Sequence, residues 1–132
     1  DSLDDLLLRM RSFADEVLDS HSIRCTAEFP KDRTDVKILM EKQRHLYLVF
    51  KEVINNIAKH SGCSNVHIVV QVATRVLRLS IEDDGRGFDC DAMVTGDGLR
   101  NMKRRARELG AVLEIDSAHG KGTAVRLNLP LT

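Results

Sequence analysis

The stretch Tyr47–Ser61, YLVFKEVINNIAKHS, limits the possible folds more than any other part of the chain. At about 100° per residue on an α-helix, Leu46, Val49, Phe50, Val53, Ile54 and Ile57 fall on one apolar stripe. A stripe of that width has to be buried, so the helix must lie against a second apolar layer. Glu52, Asn56, Lys59 and His60 recur one or two turns apart along one edge of the stripe, while Lys51 and Asn55 point away from it. A carboxylate, an amide, an ammonium and an imidazole on the border of a core suit a ligand held half inside the protein. Taken alone, an amphipathic helix with a solvated polar flank is the simpler reading.

The flanking segments supply the second layer. Leu3, Leu6, Leu7, Met10, Phe13, Ala14, Val17 and Leu18 recur at helical spacing from Ser2 to about Ser20, with Ser2 as cap and Asp5 as its reciprocal partner. Residues 22–29 alternate, with Ile23, Cys25, Ala27 and Phe29 on one face, and Pro30 ends this short strand. A polar turn and a short apolar piece occupy residues 31–38, and the central helix runs from about Glu41 to His60, where Gly62 stops it. Val66–Val72 and Val76–Asp83 form a hairpin closed near Thr74 and Arg75. Leu99, Met102, Ala106 and Leu109 mark another helix ended by Gly110, and Ala111–Ser117 and Thr123–Leu129 are closing strands. Strands clustered after helices, with hairpin-length connections, predict one α+β domain over residues 1–132. Its helices cover one face of a mixed, mostly antiparallel sheet. The other face, bearing His67, Gln71, Arg78, Glu114, Asp116, Arg126 and Asn128, meets water.

Composition excludes several function classes. Twenty basic and twenty acidic side chains cancel, which argues against general polyanion binding. The basic run Arg100, Lys103, Arg104, Arg105 and Arg107 has no aromatic residue nearby for base stacking, so no nucleic acid is expected. Cys25, Cys63 and Cys90 are far apart and without CxxC spacing, pointing to free thiols in a reducing compartment. No signal peptide and no apolar run of bilayer length is present, so no direct membrane contact is expected. The chain opens on Asp1 within a helical pattern, which suggests a piece of a longer protein.

Strand parity singles out one acid. Leu77, Leu79 and Ile81 share a face with Asp83, so its carboxylate aims at the core side while Asp84 points outward. A carboxylate aimed into apolar space is costly unless something donates to it. Thr123 likewise shares the inward parity of Val125, Leu127 and Leu129, although strands favour threonine in any case. Gly96-Asp97-Gly98-Leu99 opens onto a helix, whose N-terminal N–H groups can receive a phosphate; an ordinary capped helix is the simpler alternative. Asp83-Asp84-Gly85-Arg86-Gly87-Phe88 can equally be a turn. Asn56 can offer an amide oxygen to Mg²⁺, and Lys59 and His60 can neutralise phosphate or simply suit a helix C-terminus.

Taken together and in this order, KEVINNIAKHS, DDGRGFD, GDGLRNMKRRARELG and GKGTAVRLNLPL resemble the ATP-binding catalytic domain of bacterial sensor histidine kinases, within the GHKL ATPase superfamily. The likeness is greatest to the subfamily of the nitrate sensors and the membrane-fluidity thermosensor. It covers nearly the whole chain and is strongest from Leu46 onward. The resemblance implies a two-layer α/β sandwich of the Bergerat type that binds Mg·ATP. In the full-length protein it would donate the γ-phosphoryl to a histidine on a separate dimerisation domain, and a response regulator would act downstream. It also implies a cytoplasmic location, with or without an inner-membrane anchor elsewhere in the parent protein.

By the same resemblance, Asn56 matches the asparagine that holds Mg²⁺, and Glu52 the acid one turn earlier, a general base or polarising group. Lys59 and His60 match positions near the phosphates, and Asp83 the aspartate that accepts from the adenine amino group. Gly85 and Gly87 would bend the chain past the base, Gly96 and Gly98 would flank the ATP lid, and Leu99 would start the helix facing the phosphates. Thr123 would support the adenine site. Asp84 stands where asparagine is frequent in the family, and the lid between Phe88 and Gly96 is short. His21, His45, His60, His67 and His119 are followed by serine, leucine, serine, isoleucine and glycine, none of which gives the acidic residue that usually follows an acceptor histidine. An isolated chain of this kind is therefore expected to bind Mg·ATP without its phosphoryl acceptor. A protein serine kinase of the anti-sigma type and a nucleotide-independent docking module remain the alternatives.

Overall fold

Helical and strand periodicities sort the chain into three helices and five strands. The computed structural model describes residues 3–30, 36–73, 75–87 and 97–131, with 97–99 described in their backbone alone. In chain order the elements are α1 (Leu3–Ser20), β1 (Arg24–Glu28), α2 (Met40–Asn56), a π-helical segment (Ile57–Ser61), β2 (Asn65–Ala73), β3 (Val76–Asp83), α3 (Asp97–Leu109), β4 (Val112–Ser117) and β5 (Thr123–Pro130). The five strands form one sheet in the order β1-β2-β3-β5-β4. Only β1 and β2 pair in parallel, and the long crossover this requires is supplied by α2. The other pairs are antiparallel, and the β2–β3 hairpin closes between the paired residues Ala73 and Val76. Arg75 takes the left-handed backbone such a tight turn requires, at φ 63°. The mixed, mostly antiparallel sheet with helices on one face is the α+β architecture that the sequence patterns predict.

All six residues of the α2 stripe are buried, in one core cluster with Val66, Ile68, Leu79, Ile81 and Leu127 from the sheet. Each such side chain contributes roughly 1.5–3 kcal/mol over an exposed one. Helix α1 buries Leu3, Leu6, Leu7, Met10, Ala14 and Leu18 in the same cluster, and Phe13 and Val17 pack at its border. Lys51, which points away from the stripe, reaches α1's side instead: its Nζ lies 5.2 Å from the Phe13 ring centre and 5.4 Å from that of Tyr47. On the open face His67, Gln71, Arg78, Glu114, Asp116 and Arg126 are exposed and Asn128 is half-buried.

One expectation is overturned. The central helix does not continue as an α-helix to His60: it is α-helical to Asn56 and π-helical from Ile57 to Ser61. The angular step of 100° therefore holds through Glu52 and Asn56 but not for Lys59 and His60, which sit on a wider turn. Gly62, at φ 63°, stops the segment in the left-handed conformation.

Helix α3 begins at Asp97, two residues before Leu99. Cys25 and Cys63 are free thiols whose pKa burial pushes up. No helix among the described residues is long and apolar enough to cross a membrane. Ser2, residues 31–35, Thr74, Cys90 and the lid from Phe88 to Gly96 lie outside the described residues.

Candidate functional site

The exit of β3 carries the anomaly that strand parity predicts. Asp83 follows Leu77, Leu79 and Ile81 on the inward face and is only 8% exposed. Its Oδ1 accepts the Gly85 N–H at 2.8 Å. A further N–H bond comes from Thr123, its direct partner in the β3–β5 register. Burial pushes the Asp83 pKa up; the Gly85 and Thr123 amides pull it down without cancelling that rise, and neighbouring Asp84 pushes it further up. An ionised carboxylate can accept about four hydrogen bonds. Asp83 thus keeps acceptor capacity on the helix side of the sheet.

The end of α2 closes over this floor. Ser61, last residue of the π segment, accepts the Arg86 N–H on its carbonyl at 2.9 Å. The approach is so close that a Cβ on Gly85 would strike the Ser61 carbonyl oxygen and come within 2.8 Å of the Ser61 Cβ and 2.9 Å of Asp83 Oδ1. Glycine at 85 is therefore a packing requirement. At Gly87, φ 66° and the Ala118 carbonyl against the missing Cβ exclude other residues for both reasons. The carbonyl of Arg86 accepts the Gly120 N–H at 2.6 Å, which ties the loop to the β4–β5 turn. The DDGRG stretch is thus a strap wedged between the helix end and that turn.

Asp84 points outward, as parity predicts, but it is not idle. Its Oδ1 accepts the Ser64 and Asn65 N–H groups, each at 2.9 Å, and its Oδ2 accepts Asn65 Nδ2 at 2.8 Å. These donors, the Asn65 side chain first, hold its pKa below the usual value. The extra negative charge beside the site is therefore consumed in fastening the head of β2.

Of the predicted site residues, Asp83, Gly85, Gly87 and Thr123 converge at the β3 exit, directly under the end of α2. Thr123 Oγ1 lies 2.8 Å from Ser117 Oγ, and Ser117 donates in turn to the Gly122 carbonyl at 3.1 Å or shares that hydrogen with Thr123. Asn56 is half-buried at the junction of α2 and the π segment, one wide turn before Ser61, with half-buried Glu52 one α-turn earlier. Neither side chain has a hydrogen bond or ion pair among the described residues. Lys59 and His60 are exposed on the π segment.

Helix α3 packs on α2, with Glu108 in its last turn 3.6 Å from His45 in the second turn of α2. That contact sets the last turn of α3 against the beginning of α2, and Gly98 and Leu99 lie in the first turn of α3, at the opposite end of that helix. Gly96 lies outside the described residues. A depression of about 220 Å³ at the head of β2 and the exit of β3 is lined by Arg24, Thr26, Asn65, Val66, His67, Glu82, Asp83 and Asp84.

The sequence patterns do not single out Arg86, Ser61, Ser117 or Gly122. A Cβ on Gly122 would strike the Asp83 carbonyl oxygen, so GKGT carries a packing constraint as well as Thr123. That glycine lies directly before the inward threonine, the one signal by which it can be found. Arg86 and Ser61 act through contacts 25 residues or so apart, to which local pattern is blind.

The sequence profile of the family described as "Histidine kinase-, DNA gyrase B-, and HSP90-like ATPase" matches residues 41–132. The sensor histidine kinase LiaS of Bacillus subtilis is 32% identical over 117 residues, spanning 88% of this chain and 32% of that protein. The sensor protein VraS of Staphylococcus saprophyticus is 35% identical over 101 residues, 76% of this chain and 29% of that protein. The chain thus spans about a third of the length of these relatives. Among solved structures, the histidine kinase domain of the Erythrobacter litoralis blue-light activated histidine kinase superposes with a TM-score of 0.81. That match has 24% identity over 96% of this chain and 61% of that one. It supports the fold.

Proposed function

The chain belongs to the histidine kinase-, DNA gyrase B- and HSP90-like ATPases, and from that premise we propose that residues 1–132 are the ATP-binding catalytic domain of a two-component sensor histidine kinase. In the longer protein it donates the γ-phosphoryl of ATP to a histidine on a separate dimerisation domain, which passes it to a response regulator. The observation that carries the reading is Asp83, a buried carboxylate with spare acceptor capacity beneath the end of α2. An adenine amino group is a donor of the right kind for it, with Thr123 supporting that end of the site.

Asn56 fits Mg²⁺: it presents an amide oxygen, half-buried and without a partner among the described residues, at the helix end nearest the phosphates. When bound, the ion would be held by Asn56 and would supply neutralisation of phosphate charge. Glu52 polarises the attacking side one turn earlier, and Lys59 and His60 offer positive charge from the π segment. Gly98 and Leu99 present the N–H groups of α3's first turn, where a phosphate is favoured. Gly85 and Gly87 let the strap pass the base, and Gly96 flanks the lid. Catalysis is placement plus charge neutralisation, with no covalent work for the protein.

Titration with a fluorescent ATP analogue tests this. Saturable, Mg²⁺-dependent binding is expected, with Asn56→Ala losing the Mg²⁺-dependent part and Asn55→Ala nearly as wild type. Absence of saturable binding to the wild type would sink the assignment, and equal damage from both variants would sink the placement of Asn56.

A further inference from the structure

The α2 helix ends in a feature that the reading above does not use: five residues of π-helix stopped by Gly62 and met from 26 residues away by one side chain. The last carbonyls of any helix lack intrahelical donors and need partners from elsewhere. Here the His60 carbonyl accepts Arg86 Nε–H at 3.0 Å, and the Ser61 carbonyl accepts the Arg86 backbone N–H at 2.9 Å. The guanidinium lies against Gly62, whose hypothetical Cβ would stand 3.8 Å from both Nε and Nη2. A cation at this end also complements the helix dipole. Arg86 is itself anchored by the Gly120 N–H on its carbonyl at 2.6 Å, so it caps the segment from a fixed point.

We propose that the Arg86 side chain is a positioning residue for the phosphate end of the site: it caps the π segment and thereby fixes where Lys59 and His60 stand. A π segment is rare and forms at the expense of the regular α-helical pattern, so it needs a restraint to persist. Ser61 supplies part of it, since its Oγ donates to the Ile57 carbonyl at 2.7 Å and accepts the Cys63 N–H at 3.1 Å. Arg86 supplies the connection to the strap. Because the Arg86 main-chain bond to Ser61 survives replacement by alanine or lysine, the side chain adjusts the His60 carbonyl while the Gly85–Asp83 floor stays in place. The inference rests on the proposed nucleotide site for its consequence, but not for its geometry.

The test uses Arg86→Ala and Arg86→Lys. Lysine keeps the charge but not the planar N–H that meets the His60 carbonyl. Without nucleotide, amide hydrogen exchange over residues 57–62 should quicken about tenfold in Arg86→Ala, with β3 and β5 unchanged. Calorimetry should give adenosine affinities within about twofold of wild type in both variants and Mg·ATP weakened about tenfold in both.

Unaltered exchange over 57–62 overturns the cap, whatever the protein binds. Full recovery of ATP affinity by lysine overturns positioning in favour of direct charge attraction. Equal loss of adenosine and ATP reduces Arg86 to general support of the site and also overturns the proposal. If the alanine variant does not fold, Arg86→Lys carries the exchange and affinity tests by itself. A wild type that binds no ATP while Arg86→Ala still loosens 57–62 would refute the nucleotide assignment and leave the cap standing.

Discussion

Replacing Asp83 by asparagine separates what this residue does for stability from what it does for binding. The carboxylate is 8% exposed, and burial outweighs the Gly85 and Thr123 amides, so its pKa is raised in the folded protein. A raised carboxyl pKa means that the folded state holds the proton more tightly than the unfolded chain does. Stability therefore falls as pH rises through the folded pKa, and the ionised form is a burden at neutral pH. Asparagine has nearly the same shape and no charge, and its Oδ1 can still accept the Gly85 N–H. Asp83→Asn should thus melt at the same temperature as wild type or higher at pH 7. That gap should narrow as pH falls through the raised pKa toward 3.8, since wild type then becomes neutral too.

Binding should go the other way. A hydrogen bond to a charged acceptor is worth about 1.5–3 kcal/mol, so replacing it should cost roughly 10- to 150-fold in ATP affinity. Titration calorimetry with ATP and GTP, beside thermal melts from pH 4 to 8, reads both halves. If Asp83→Asn bound ATP and GTP as wild type does, the adenine role would be wrong. If it were clearly less stable at pH 7, the argument that the ionised carboxylate strains the fold would fail.

Two further substitutions probe the strap. Gly85→Ala would drive a methyl group into the Ser61 carbonyl and should cost about 1–3 kcal/mol in urea unfolding, with ATP affinity falling as the helix end is pushed off the floor; an unchanged unfolding midpoint would show the contact to be soft. Asp84→Asn leaves one acceptor oxygen for three donors and should lower the melting temperature at pH 7. Because the folded pKa of Asp84 is depressed, that difference should fade as pH drops below 3.8 through the folded value, and a pH-independent gap would contradict the linkage.

Where the sequence was legible, the physics was local. Alternation along Leu77, Leu79, Ile81 and Asp83 places an acid among apolar neighbours, and that conflict is visible without coordinates. The α2 stripe from Leu46 to Ile54 follows an angular period that backbone hydrogen bonding enforces at each turn. The order β1-β2-β3-β5-β4, by contrast, is settled by which strands meet in space, and no spacing within a segment encodes it. The misreading begins at Ile57 for the same kind of reason. Nothing in IAKHS departs from helix-forming composition, and an α-helix would satisfy its own amides equally well. What shifts the balance lies 24 to 26 residues onward, where Gly85 leaves room for the Ser61 carbonyl and Arg86 caps both Ser61 and His60. The helix adopts the wider turn at the place where its polar seam reaches the strap. Departure from the local rule and proximity to the site thus have one cause: a backbone held from outside can keep a geometry that its own sequence does not prefer.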